Sequence, residues 1–304
     1  MLAVTAAAEI VVRTFRPLLS ADIVHIRQIP SIARSVGEQK GLRVLFLGNS
    51  LTRRGVNLSV IRPEVSPNET PPVWLDKVNP DDTAILDWYY LFEKYFKGPD
   101  APDFVVLGWA ENQLGDHSHV HPDRIAAYYG GWSNTSEIFR NDLYDSGMRM
   151  DYLLSTVLAS FSEKERIRTR LLTLAVPDYR STAELFNSTM AATGKAAAPP
   201  APSYHRLQRF LTLCRDRHVR VIAAAMPLPD SYPIDGLLRQ TLDSNGAVLL
   251  DLRHVPGITS SDYADGYHLA PYGAELYSRE LGSELNAVLS SAPAHPSALA
   301  VAYR

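Results

Sequence analysis

The chain has a single cysteine, Cys214, in 304 residues. One cysteine cannot form an intramolecular disulfide, nor supply a zinc site built on two or four thiolates. The sequence also lacks a charge excess. Thirty Lys and Arg face 33 Asp and Glu, for a net charge of −3, which argues against nucleic acid as the main partner, because phosphate binding needs a clustered positive surface. Long hydrophobic runs are missing too. The most apolar stretch, Met1 to Val12, is interrupted by Glu9 and has no basic segment before it. It falls short of the ~20 apolar residues a bilayer span requires. It reads either as the remainder of a signal anchor or as the start of an amphipathic helix. The first reading implies membrane association through the N-terminus or an extracytoplasmic site, the second permits the cytoplasm, and a lone cysteine is compatible with both.

What the chain does have is an alternation of short apolar runs and helical patterns. Residues 17–41, punctuated by Pro17, Pro30 and Gly37, read as a connector, so residues 1–41 form an N-terminal segment. Strands are expected at Arg43–Leu47, Thr83–Leu86, Phe104–Leu107, Val219–Ala225 and Ala247–Leu250. Residues 62–81, rich in Pro, Asn and Asp, read as loop. Helices are expected at Trp88–Phe96, from Met150 to Phe161, after a capping-box pattern at Ser162–Glu165, at Leu207–Cys214, and from Pro271 onward. Residues 187–203 are small and Pro-rich, the composition of a mobile loop. Strands alternating with helices imply a parallel sheet covered on both faces. The expectation is therefore one α/β domain over residues 42–292, with a helical insertion within 109–205 and a tail at 293–304.

In open parallel sheets ligands bind beyond the carboxyl ends of the strands. Three segments fall there: Gly48-Asn49-Ser50-Leu51, Gly108-Trp109-Ala110-Glu111-Asn112, and Asp265-Gly266-Tyr267-His268. A serine hydroxyl becomes a nucleophile when a base takes its proton. A histidine is such a base near neutral pH, and a carboxylate orients it. The oxyanion that develops needs fixed donors. Ser50 as nucleophile, His268 as base, Asp265 as orienting acid and Asn112 as oxyanion donor fill these roles.

These three segments resemble blocks I, III and V of the SGNH, or GDSL-type, hydrolase superfamily. Block I of that family reads Gly-Asp-Ser-Leu against Gly48-Asn49-Ser50-Leu51 here, and block V reads Asp-x-x-His against Asp265 to His268. The resemblance covers residues 42 to 290. It implies a flavodoxin-like three-layer α/β/α fold with a five-stranded, mainly parallel sheet. It also implies a serine esterase or acyltransferase needing no cofactor and no metal, with an oxyanion hole from Ser50, Gly108 and Asn112. The substrate it implies is a small-molecule or carbohydrate ester. Block III departs from the family pattern, since Asn112 lies four positions after Gly108 and no Asp follows it, and the block II glycine has no clear counterpart. The likeness is to divergent polysaccharide-modifying members. A second class, a catalytically inactive carbohydrate-binding or polysaccharide-assembly protein on the same fold, stays open on those departures.

Several residues carry competing readings. Ser50 alone suits a helix N-cap. Asp251 to His254 is a second Asp-x-x-His, but no helix start like that after His268 follows it. His117, His119 and His121 alternate, which on a strand could line up imidazoles for zinc, yet their neighbours read as polar loop. Arg53 and Arg54 read as a solvated helix face, with attraction for an anionic substrate as the alternative. Trp109, Tyr128, Tyr129 and Trp132 suit either sugar stacking or core packing.

Overall fold

The structure, a computed structural model, describes residues 2–65, 72–178 and 201–291. The chain divides into two compact units, Met1–Arg27 with His121–Pro202, and Gln28–Val120 with Ser203–Arg304.

The second unit carries the sheet. Five strands, β1 (Leu42–Leu47), β2 (Val73–Val78), β3 (Phe104–Trp109), β4 (Arg220–Ala225) and β5 (Val248–Asp251), lie in the order β2-β1-β3-β4-β5. All four pairings are parallel. This is the flavodoxin-like order, which reverses direction between β1 and β3 and opens a crevice there. The apolar runs explain the centre: β3 is buried at every position, β4 from Val221 on and β1 from Val44 on. Strands buried on both faces need helices on both sides. Two helix groups supply them. Pro271–Ser290 packs on Leu58–Val65 and Ser50–Gly55, and His205–Asp216 packs on Ile85–Tyr95.

Two sequence expectations fail in this unit. The second strand is Val73–Val78, inside the stretch expected to be loop, and the first residues of that stretch, 62–65, are the end of the helix Leu58–Val65. Thr83–Leu86 is no strand. It leads into the helix Ile85–Tyr95, whose residues Ile85 to Phe92 are all buried, so no exposed face marks its period. The expected connector is also wrong: Ala21–Glu38 is a helix that carries Pro30 inside it.

No side chain of the helix His205–Asp216 caps its own start. Asp116 does so from outside, accepting the N–H groups of His205 at 3.0 Å and Arg206 at 2.8 Å. Burial pushes the Asp116 carboxyl up, but these donors and the Ser203 hydroxyl outweigh it and hold the carboxyl low.

The first unit is helical, with Leu2–Phe15, Ser146–Val157 and Lys164–Ala175 as its longer helices. Its interior holds an ion network. Glu163, fully buried, accepts from the Tyr128 hydroxyl at 2.6 Å and pairs with Arg166 at 2.9 Å and Arg16 at 3.0 Å. Asp22 takes the other end of Arg166 at 2.8 Å. The Ser162 hydroxyl donates to Ala159 O and does not cap Lys164–Ala175, contrary to the capping-box expectation. No helix among the described residues is long and apolar enough to cross a membrane. Of the expected mobile loop 187–203 and the tail 293–304, all but 201–203 lie outside the described residues.

Candidate active site

Ser50 opens the helix Ser50–Gly55 immediately beyond β1, at the β1/β3 crevice. The turn that holds it is fastened on three sides. Asn49, buried and in extended backbone, is the N-cap, and its Oδ1 accepts the Leu51 N–H at 3.0 Å. Its Nδ2 donates to Thr83 O at 3.0 Å, and the single proton of the Thr83 hydroxyl is shared between Pro80 O at 2.8 Å and Gly48 O at 3.2 Å. A carboxylate at position 49 could supply the cap but not the second bond, because it has no donor. That gives the Asn in place of the family's Asp a physical reason. Behind the turn, the Thr52 hydroxyl donates to Gly108 O at 3.1 Å. A Cβ on Gly48 would stand 2.0 Å from Thr52 Oγ1 and one on Gly108 2.2 Å from it. The two glycines, at the ends of neighbouring strands, form the socket for Thr52.

His268 Nε2 lies 2.9 Å from Ser50 Oγ. On its other side Nδ1 lies 2.9 Å from Asp265 Oδ2 and 3.2 Å from Oδ1. The Asp265 Oδ1 also accepts the backbone N–H of His268 at 2.8 Å and of Tyr267 at 3.2 Å. Burial works to raise the Asp265 carboxyl, but the His268 N–H, its imidazole and the Tyr267 N–H prevail and hold it at about 2. The carboxylate is therefore ionised across the working range of a histidine base. Tyr267 stands edge-on to the His268 ring, centroids 5.2 Å apart. Burial, helped by Glu111 and Asp82, pushes the Tyr267 phenol up to about 12, so it stays a neutral hydroxyl.

The structure thus brings Ser50, His268 and Asp265 into one hydrogen-bonded line. It places the other expected site residues differently. Gly108 lies in β3, and its carbonyl takes the Thr52 hydroxyl. Asn112 sits in an exposed turn after β3, its backbone oxygen accepting the Gly115 N–H at 2.8 Å. Ala110 N–H is taken by Gln113 Oε1 at 3.0 Å. The loop after β2, Asn79 to Thr83, flanks the serine turn from the side opposite β3, and the sequence offered no strand there to reveal it.

The competing readings separate. Asp251 is held by Arg253 at 2.7 Å, and His254 is exposed. Residues 117–121 form no strand. Trp109, Tyr128 and Tyr129 are buried, whereas Trp132 is 61% exposed. Arg54 is no mere surface charge: its Nη1 lies 2.7 Å from Asp265 Oδ2.

In strand order and in the placing of its serine, histidine and aspartate the chain resembles an SGNH hydrolase. No family model and no curated protein matches it. Among solved structures it is similar to the acetyl xylan esterase Axe2 from Geobacillus stearothermophilus, with 11% identity over 80% of this chain and 93% of that one, at a TM-score of 0.39. A variant of the same enzyme gives 11% identity, 81% and 94% coverage and a TM-score of 0.41. A protein from Lactobacillus plantarum gives 14%, 82% and 99%, and 0.39.

Proposed function

We propose that this chain is a serine-dependent enzyme that hydrolyses or transfers ester-linked acyl groups. The observation that carries the reading is the unbroken line from Ser50 Oγ through His268 to Asp265, each step 2.9 Å. In it, Ser50 Oγ attacks the acyl carbonyl while His268 Nε2 takes the hydroxyl proton. The oxyanion rests on the Ser50 N–H, with Asn112, in the turn after β3, as side-chain donor. His268 returns the proton to the leaving alkoxide, and an acyl-Ser50 remains. Water, or a sugar hydroxyl, then attacks that ester. His268 takes the new nucleophile's proton and returns it to Ser50 Oγ. Water as acceptor makes an esterase and a hydroxyl makes an acyltransferase.

We take the acyl group to be acetyl and its carrier to be carbohydrate, on the likeness of the sequence blocks to polysaccharide-modifying SGNH enzymes. Membrane association through the N-terminus belongs to the same reading.

A fluorophosphonate probe tests the chemistry. It should label Ser50 in the folded protein and not in Ser50→Ala. A folded, unlabelled protein would turn the reading to the non-catalytic carbohydrate-binding class. Aryl acetate turnover should be lost in His268→Ala and kept in His254→Ala. Acetyl appearing on an added oligosaccharide faster than in water marks transfer.

A further inference from the structure

A cavity of about 640 Å³ lies beside the serine helix, walled by that helix, the inner end of β2 and the start of the helix Pro271–Ser290. Its wall carries Arg53, Arg54 and Lys77 and, among the described residues, no carboxylate. That is the reverse of the whole chain, whose acids outnumber its bases. Arg53 and Arg54 have carboxylate partners outside the wall, Asp81 at 2.7 Å and Asp265 at 2.7 Å. Lys77 is different. Its ammonium donates to the backbone oxygens of Arg53 at 3.0 Å and Val56 at 2.9 Å. Those bonds fix its position at the end of the helix, and an ammonium has a third N–H to give. Burial and the neighbouring Arg53 both lower its pKa, which is the cost of holding two like charges together in a partly dry site. An anion entering the cavity removes that cost. The start of the helix Pro271–Ser290, capped by no side chain, adds a favourable dipole on the same wall. Asn57 and Leu269 give the cavity a polar and an apolar side.

We propose that this cavity seats an anionic group, a carboxylate or a phosphate, carried by the acyl-bearing substrate. The proposal rests on the acyl-transfer reading for its link to turnover. Arg54 is one helical turn from Ser50, about 6 Å along the axis, and Leu269 follows His268 in the chain. A substrate anchored here by its anion would run back along the serine helix, past Arg54, to bring its acyl ester to Ser50.

Ser50→Ala protein, silent in catalysis, is titrated calorimetrically with a methyl glucuronide, a glucose phosphate and neutral methyl glucoside. At least one anion binds and the neutral glycoside does not. Which anion binds more tightly separates carboxylate from phosphate. Adding Lys77→Gln or Arg53→Gln weakens the bound anion about tenfold, the scale of one charge-assisted hydrogen bond. Arg53 is one-third exposed, so its variant keeps the fold if Lys77→Gln does not. In the active enzyme, Lys77→Gln raises KM for an acetylated anionic sugar about tenfold more than it raises KM for a neutral aryl acetate. Equal binding of the neutral glycoside, no binding of either anion, or anion binding untouched by both substitutions overturns the proposal. Anion binding by a protein that no fluorophosphonate labels leaves the cavity assignment standing and removes only the acyl-transfer reading.

Discussion

Arg54 Nη1 and His268 Nδ1 converge on the same atom, Oδ2 of Asp265, at 2.7 and 2.9 Å. A carboxylate shared between a guanidinium and an imidazole stabilises the imidazolium less than one given to the imidazole alone. Replacing Arg54 with Gln leaves that carboxylate to His268 alone. Both Arg54 and Asp265 are nearly half exposed, so solvent screens the pair, and kcat/KM for a neutral aryl acetate at neutral pH should change by less than about fivefold. A loss as large as that of Asp265→Asn would mean that Arg54 holds the loop itself in place.

Asp265 makes a separate prediction. Asp265→Asn keeps the shape of the loop but removes the charge that orients and stabilises the imidazolium, and kcat should fall about 10³- to 10⁴-fold. The same residue affects stability. Its folded value, about 2, lies below the ordinary carboxylate value. Its contribution is therefore fully present above about pH 4 and is lost as pH falls through 2. Wild type and Asp265→Asn should differ in denaturation midpoint near neutral pH and converge below pH ~2.

Asn49 tests the reason for departing from the family's block I. Its amide accepts from Leu51 and donates to Thr83 O. Asn49→Asp faces a buried carboxylate with a carbonyl oxygen and should cost about 1–3 kcal/mol, the penalty of a buried polar group left unsatisfied. Urea denaturation at neutral pH measures it. The loss should shrink in acid, where the protonated carboxyl regains a donor.

Much of this arrangement is legible in the sequence. β1, β3 and β4 are apolar runs in which nearly every residue is buried, and runs of that kind stand out without a period. Block V is legible because its Asp, His and following helix start are contiguous. β2 is not, because Val73–Val78 is an edge strand paired only with β1, and it carries Asp76 and Lys77 on partly exposed positions. With β2 hidden, the loop after it is hidden too, and so is its hold on the serine turn through Thr83. The bond from Arg54 to Asp265 and the place of Lys77 escape for a related reason. Their chemistry depends on which side of a six-residue helix and an edge strand meet, and neither has a period long enough to show it.

The Thr52 socket yields the last prediction. Gly108 has a structural duty whatever its part in catalysis: its carbonyl accepts the Thr52 hydroxyl, and the space a Cβ would need is filled by that side chain. Gly108→Ala should therefore destabilise the protein by about 1–3 kcal/mol through overpacking. It should also slow acyl transfer, since Thr52 sits two residues after Ser50 on the same short helix and must shift. Thr52→Ala removes the obstructing atoms, so the double variant should recover part of both losses despite carrying two substitutions. A double-mutant cycle with coupling of about 0.5–3 kcal/mol is the expected signature of residues in direct contact. Strict additivity of the two single losses would show that the socket is loose, and that Gly108 matters for another reason.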